Sequence, residues 1–84
     1  MPIQVEKKDG RKEPFDRNKV SAGVTKSGAT PEQADSIASQ IETWAQGTAV
    51  DGVIKASDIR TKVLELLRTA NPQAAGKFEA YKKA

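Results

Sequence analysis

The chain has 84 residues, 37% hydrophobic and 30% charged, a balance that suits one small folded unit rather than a disordered chain and leaves no room for a second core. Fourteen lysines and arginines against eleven carboxylates leave a net charge of +3, which favours anionic partners but is too small to imply nucleic acid. With no cysteine and no histidine, the sequence excludes disulfides, thiolate nucleophiles and imidazole bases or metal ligands.

Ile3 and Val5 alternate with Gln4 and Glu6, the period of a half-buried strand. Asp9-Gly10 predicts a hairpin turn, because glycine accepts the positive φ that such a turn needs. Arg11 to Phe15 is the expected return strand. Pro14, with no N–H to donate, keeps it short or at an edge. Asp16 suits the N-cap of a first helix over about Arg17 to Ser27, ended by Gly28. Its apolar stripe is thin, Val20 and Val24 with Ala22, and Gly23 weakens it further.

Thr30-Pro31-Glu32-Gln33 supplies an N-cap, a proline at the first helical position and a glutamine for a capping box. Ala34, Ile37, Ala38, Ile41, Trp44 and Ala45 then fall on one face of this second helix, which Gly47 stops. Thr48 to Gly52 reads as a loop and Val53-Ile54 as a brief strand. Ser57 is the expected cap of a third helix with Ile59, Val63, Leu66, Leu67 and Ala70 on its buried face. Asp58 in its first turn and Arg68 in its last agree with the helix dipole. Asn71-Pro72 ends it and starts a fourth helix, in which Ala74, Phe78 and Tyr81 share a face.

Three clusters carry chemistry. Lys7, Lys8, Arg11 and Lys12 crowd the first turn. Alternation puts Lys7 on the side of Val5 and Lys8 on the other, so one cation overhangs an apolar floor. The same run also suits a solvated hairpin guarding an edge strand, and on spacing alone that explanation is the better one. The second cluster is Glu13, Phe15, Asp16 and Lys19. Phe15 offers an apolar face to a flat ring, and Glu13 can accept from an exocyclic amine. Adenine carries such a donor at N6 where guanine presents the O6 acceptor, so a carboxylate there favours adenine. Taken singly, Phe15 is better read as core and Asp16 as an N-cap. In the third cluster, Lys55 and Arg60 flank a helix N-terminus suited to anions. Singly, Ser57 is a routine cap and Lys55 a surface lysine. No histidine stands by to activate a serine or threonine and no glycine-rich phosphate loop is present, so a binder is expected rather than an enzyme.

Taken together, Val5-Glu6-Lys7-Lys8-Asp9-Gly10, Glu13-Pro14-Phe15-Asp16-Arg17-Asn18-Lys19-Val20, Ile54-Lys55-Ala56-Ser57-Asp58-Ile59 and the closing Asn71-Pro72, Phe78 and Tyr81 resemble the ATP-cone. This is the small regulatory domain of many ribonucleotide reductases and of a bacterial repressor of their genes. The likeness runs from about Ile3 to Lys82 and reverses the reading given to each cluster alone. It implies an α+β fold, mainly α, in which a four-helix bundle is capped by a small N-terminal β-hairpin or three-stranded sheet. Residues 1–84 are then a single ATP-cone domain. It also implies non-catalytic binding of ATP or dATP, accompanied by Mg2+, in the hollow between sheet and bundle.

By position, Val5, Phe15, Val20 and Ile59 line the adenine slot, and Glu13 and Asp16 face the polar edge of the base. Lys7, Lys8 and Lys19 take the phosphates, Lys55 adds charge just before the third helix, and Ala56 and Arg60 stand near the sugar and phosphates. The chain departs from the resemblance at Ala56, where some members have a hydroxyl residue, and at Arg60, where some have a histidine. Its first helix is also poor in large apolar residues. Lys82 or Lys83 corresponds to a basic residue that some members use late in the last helix.

The resemblance implies a sensor, in which triphosphate binding changes the surface and thereby the oligomeric state of an attached enzyme or repressor. Expected partners are an adenine nucleotide and a homo-oligomer or ribonucleotide reductase-type protein, with nucleic acid ranked below them and no membrane. The N-terminus has no apolar h-region and no apolar run approaches the ~20 residues of a membrane span, so a cytoplasmic location is expected. One competing reading is a small basic nucleic-acid-binding module, disfavoured by the modest charge and the scarcity of aromatics for stacking. The other is a degenerate cone that acts only as a protein-interaction domain.

Overall fold

A computed structural model describes residues 3–81, Tyr81 by its backbone alone. The elements run β1 (Gln4–Glu6), β2 (Lys12–Pro14), α1 (Arg17–Lys26), α2 (Pro31–Thr48), β3 (Val53–Lys55), α3 (Ala56–Ala70) and α4 (Pro72–Tyr81). This is the expected mainly α architecture of four helices and a small sheet, here with three strands.

The sheet order is β2-β1-β3, with β1 antiparallel to β2 and parallel to β3. Val5 stands opposite Glu13 on one side and Ile54 on the other. The pleat therefore turns Ile3, Val5 and Lys7 to the same face as Glu13 and Phe15, the face that meets the helices. Pro14 lies on an edge strand, where its missing N–H leaves no ladder bond unmade. The first turn closes through Gly10 N–H to the Lys7 carbonyl at 3.0 Å, with Gly10 at φ +89°. Asp9 Oδ1 accepts from Arg11 N–H at 3.1 Å and braces it.

Asp51-Gly52, expected as loop, is a tight turn of its own. Both residues have positive φ, 53° and 77°, and Val50 and Val53 exchange N–H to carbonyl bonds of 3.0 Å each. That is the primed-turn geometry which Asp-Gly favours, and it launches β3 directly.

Asp16 caps α1 by accepting from Asn18 N–H at 2.9 Å. The helix closes at Ser27, whose buried hydroxyl donates to the Gly23 carbonyl at 3.0 Å, and Gly28 turns the chain away at φ +105°. Thr30 and Gln33 form the reciprocal capping box of α2. Two expected boundaries move. Gly47 does not stop α2, which runs on to Thr48 because nothing at Gly47 demands a left-handed residue; the helix ends where Ala49 becomes extended. Ser57 does not cap α3. Pairing of Lys55 with Glu6 holds Lys55 extended, and the helix starts at the next residue with no side-chain cap. Ser57 then lies inside the helix, its carbonyl accepting from Thr61 Oγ1 at 3.0 Å.

The core joins Val24, Ile37, Ile41, Val63 and Leu67 to Ile3 and Ile54 from the sheet. The buried face of α3 is narrower than expected: Leu66 is half-buried and Ala70, the last residue of the helix, is exposed. Ala22 points outward, and Trp44 is only half-buried. On α4, Ala74 and Ala75 are buried and Phe78 is half-buried, while the Tyr81 side chain lies outside the described residues, as do Lys82 and Lys83.

Asn71 does double duty between α3 and α4. Its Oδ1 accepts from Ala74 N–H at 3.1 Å, and its Nδ2 donates to Gln33 Oε1 at 3.2 Å. Asn71→Ala is expected to cost about 1–2 kcal/mol, seen as a lower urea midpoint with an unchanged slope.

Candidate functional site

A cavity of about 200 Å3 opens between the sheet cap and helices α1, α3 and α4. Its floor is apolar: Val5 from β1, Phe15 from the end of the hairpin, Val20 from α1, Ile59 and Val63 from α3, and Phe78 from α4. Three cations and two carboxylates stand at it: Lys7, Lys19, Arg60, Glu13 and Asp16. A second groove of about 370 Å3 between α2 and α3 has Glu32 but no cation on its walls, so it offers an anion no opposite charge.

Register explains the placing of the charges. Glu13 lies opposite Val5, so its carboxylate shares the apolar face, and Lys7 follows Val5 by two residues onto that face. Lys19 arrives from the first turn of α1. Glu13 Oε1 sits 3.8 Å from Lys7 Nζ and 3.6 Å from Lys19 Nζ, a carboxylate held between two ammonium groups. These separations are longer than hydrogen bonds and the groups are partly exposed, so each pair contributes at most about 1 kcal/mol. The lysines can be redirected cheaply to another anion. Asp16 is different: one of its carboxylate oxygens is committed to capping α1.

Of the residues expected at a site, Val5, Lys7, Glu13, Phe15, Asp16, Lys19, Val20, Ala56, Ile59 and Arg60 line this cavity together. Lys8 and Lys55 do not. Lys8 falls one residue out of phase with Lys7. Lys55 pairs with Glu6 on the opposite face of the sheet, and both border a separate depression beside Ser57. Four further lining residues were not expected there: Pro14, Gly23, Val63 and Phe78. Val63 could have been found one turn beyond Ile59 on the same helix face. Gly23 read only as a weak point of α1, and Phe78 only as part of one face of the fourth helix and of the closing motif, with no place at the site.

The sequence profile of the ATP cone domain matches residues 3–84. The chain belongs to the ATP-cone family. Among curated proteins, this ATP-cone is similar to the transcriptional repressor NrdR of Dictyoglomus turgidum, 40% identical over 81 residues that cover 92% of this chain and 53% of the relative. It is also similar to NrdR of Fusobacterium nucleatum, 35% identical over 86 residues, 98% of this chain and 57% of the relative. NrdR of Syntrophus aciditrophicus is 35% identical over 78 residues, 88% and 48% of the two chains. The chain thus spans about half the length of the curated relatives it matches. Among the described residues of this ATP-cone, no helix is long and apolar enough to cross a membrane.

Proposed function

We propose that this ATP-cone binds ATP or dATP in the cavity without hydrolysing it and acts as an allosteric sensor. The observation that carries the reading is the apolar slot with Glu13 at its edge between Lys7 and Lys19. A cavity of about 200 Å3 falls below the roughly 300 Å3 and more of sites that enclose a drug-sized ligand. It suits a base with part of its sugar, leaving the phosphates at the mouth among the cations. The base lies against Phe15, Val20 and Ile59, and Glu13 accepts from the N6 amine. Lys7, Lys19 and Arg60 take the phosphates. The first N–H groups of α3, which have no side-chain cap, add a favourable dipole near Ala56. Among the described residues there is no cluster of three acidic or other metal-binding side chains; a Mg2+ accompanying the nucleotide would be held chiefly by its phosphates, with Glu13 and Asp16 the carboxylates at the cavity, and would neutralise phosphate charge there.

The similarity to transcriptional repressors makes transcription, or a ribonucleotide reductase directly, the proposed output, reached through a change of oligomeric state. It also raises nucleic acid from the lower rank given by sequence: DNA is a proposed partner of a longer protein that carries this domain. Within the domain, Lys8 and Lys12 are exposed and absent from the cavity, so they remain available to an outside anion.

The test is an amide NMR titration with ATP, dATP and GTP at moderate salt. Saturable shifts at Lys7, Glu13, Phe15 and Ile59 with the adenine nucleotides, and weaker ones with GTP, are expected. Equal shifts with any polyanion, or none, would leave a cone-shaped interaction domain. A second variant probes the slot's depth. A Cβ added at Gly23 meets Phe78 Cε1 at 3.8 Å, an ordinary contact, so Gly23→Ala fits. It is expected to stabilise α1 by about 0.5–1 kcal/mol while its methyl narrows the cavity. The melting point then rises as ATP affinity falls.

A further inference from the structure

We infer that Arg60 couples the end of α4 to the contents of the cavity, by exchanging the Phe78 carbonyl for a phosphate of the ligand. This rests on the nucleotide-binding reading above and supplies a route from occupancy to a changed surface.

Arg60 lines the cavity from α3, yet both contacts that hold its head group belong to one residue of α4. A terminal nitrogen donates to the Phe78 carbonyl at 2.9 Å, and the guanidinium carbon lies 4.7 Å from the centre of the Phe78 ring. Lys7 and Lys19 share Glu13, whereas Arg60 has no carboxylate within ion-pair distance among the described residues. Its full charge is met by a neutral dipole and a ring face. From the other side, the last turn of α4 has no basic residue among the described residues, and Arg60 of α3 brings a cation to its Phe78 carbonyl.

A phosphate is the better acceptor. Charge-assisted hydrogen bonds are roughly twice as strong as neutral ones, and the planar guanidinium grips a phosphate through two parallel bonds. Taking that grip reorients the plane and withdraws it from the Phe78 ring and carbonyl. The end of α4 then loses its Arg60 tie to α3 and keeps only the exposed Arg68–Glu79 ion pair, 3.8 Å long, between the last turns of the two helices. Adenosine, which has no phosphate, gives Arg60 no reason to move. The differential contact that shifts the population is therefore the phosphate itself.

Amide NMR of the wild type with ATP and with adenosine, and of Arg60→Gln and Arg60→Lys with ATP, tests the exchange. In the wild type, adenosine is expected to move the base-slot amides, Val5, Glu13, Phe15 and Ile59, without Ala75 to Phe78, while ATP moves both groups. In Arg60→Gln, ATP is expected to bind about tenfold more weakly and to move Val5 and Phe15 without α4. Arg60→Lys keeps the charge without the fork, so it is expected to bind more tightly than Arg60→Gln with α4 equally silent. An α4 response of wild-type size in either variant, or with adenosine, overturns the exchange. Saturation of Val5 and Phe15 by ATP with α4 unmoved in the wild type overturns this proposal alone. No ATP response at any of these amides overturns the nucleotide reading and this proposal with it.

Discussion

Leu67→Ala is expected to lower the stability of the fold by about 2–5 kcal/mol, the largest effect of any single truncation considered. Leu67 has no solvent exposure and joins α3 to the core shared with Ile37 and Ile41. Removing its branched end leaves a cavity whose lining loses contacts on one side, which adds to the lost transfer energy. A domain of this size has a total stability of about 4–13 kcal/mol at ~0.05–0.15 kcal/mol per residue, so little reserve remains. At roughly 4–8 °C per kcal/mol, the melting temperature falls by at least about 8 °C. Leu66→Ala, one residue away and only half-buried, serves as the control and is expected to fall much less. Equal shifts for the two would mean that the core does not lie where the structure puts it.

The second large effect is on binding. The Lys7→Ala, Lys19→Ala double variant is expected to weaken ATP binding by about 100-fold or more, with a loss of stability in the unliganded protein of at most about 2 kcal/mol, no more than the least expected of Leu67→Ala. Each lysine stands within 4 Å of Glu13, partly exposed, and gives the free fold at most about 1 kcal/mol. Against phosphate the same ammonium groups make charge-assisted bonds, each worth about 1.5–3 kcal/mol. Isothermal titration beside a thermal melt separates the two quantities. Binding that survives within a few-fold would place the phosphates elsewhere and remove the main support for the proposed function.

What the sequence made legible was local or periodic. The Thr30 to Gln33 box, the α2 stripe from Ala34 to Ala45 and the Asp9-Gly10 turn each depend on neighbours a few residues apart, and each formed as expected. The parity that separates Lys7 from Lys8 is of the same kind, and it placed one inside the cavity and the other outside. Misplaced features depended on distant partners. Ser57 carries every local mark of a cap, but pairing of Lys55 with Glu6 starts the helix earlier. The same pairing turns Lys55 away from the cavity. Asp51-Gly52 has the composition of a hairpin turn, but the strand it launches is stabilised by β1, far back in the chain, and its preceding bridge is only Val50 with Val53. Phe78 belongs to the cavity because α4 packs back against α3 and α1, which no periodicity within α4 encodes.

The central position of β1 also dictates an order of assembly. Its pairing with β2 closes a short turn, but its pairing with β3 joins residue 4 to residue 53 across all of α1 and α2. Closing so long a segment costs entropy that only the docked helices repay, so the hairpin can form early while the third strand waits. The cavity needs more still: Ile59 and Val63 from α3 and Phe78 near the end of α4. A chain emerging from the ribosome therefore displays Lys7, Glu13 and Lys19 long before it has walls to set around a ligand. Its cations are exposed to any passing anion at that stage, and the apolar walls of the cavity are complete only with the last helix.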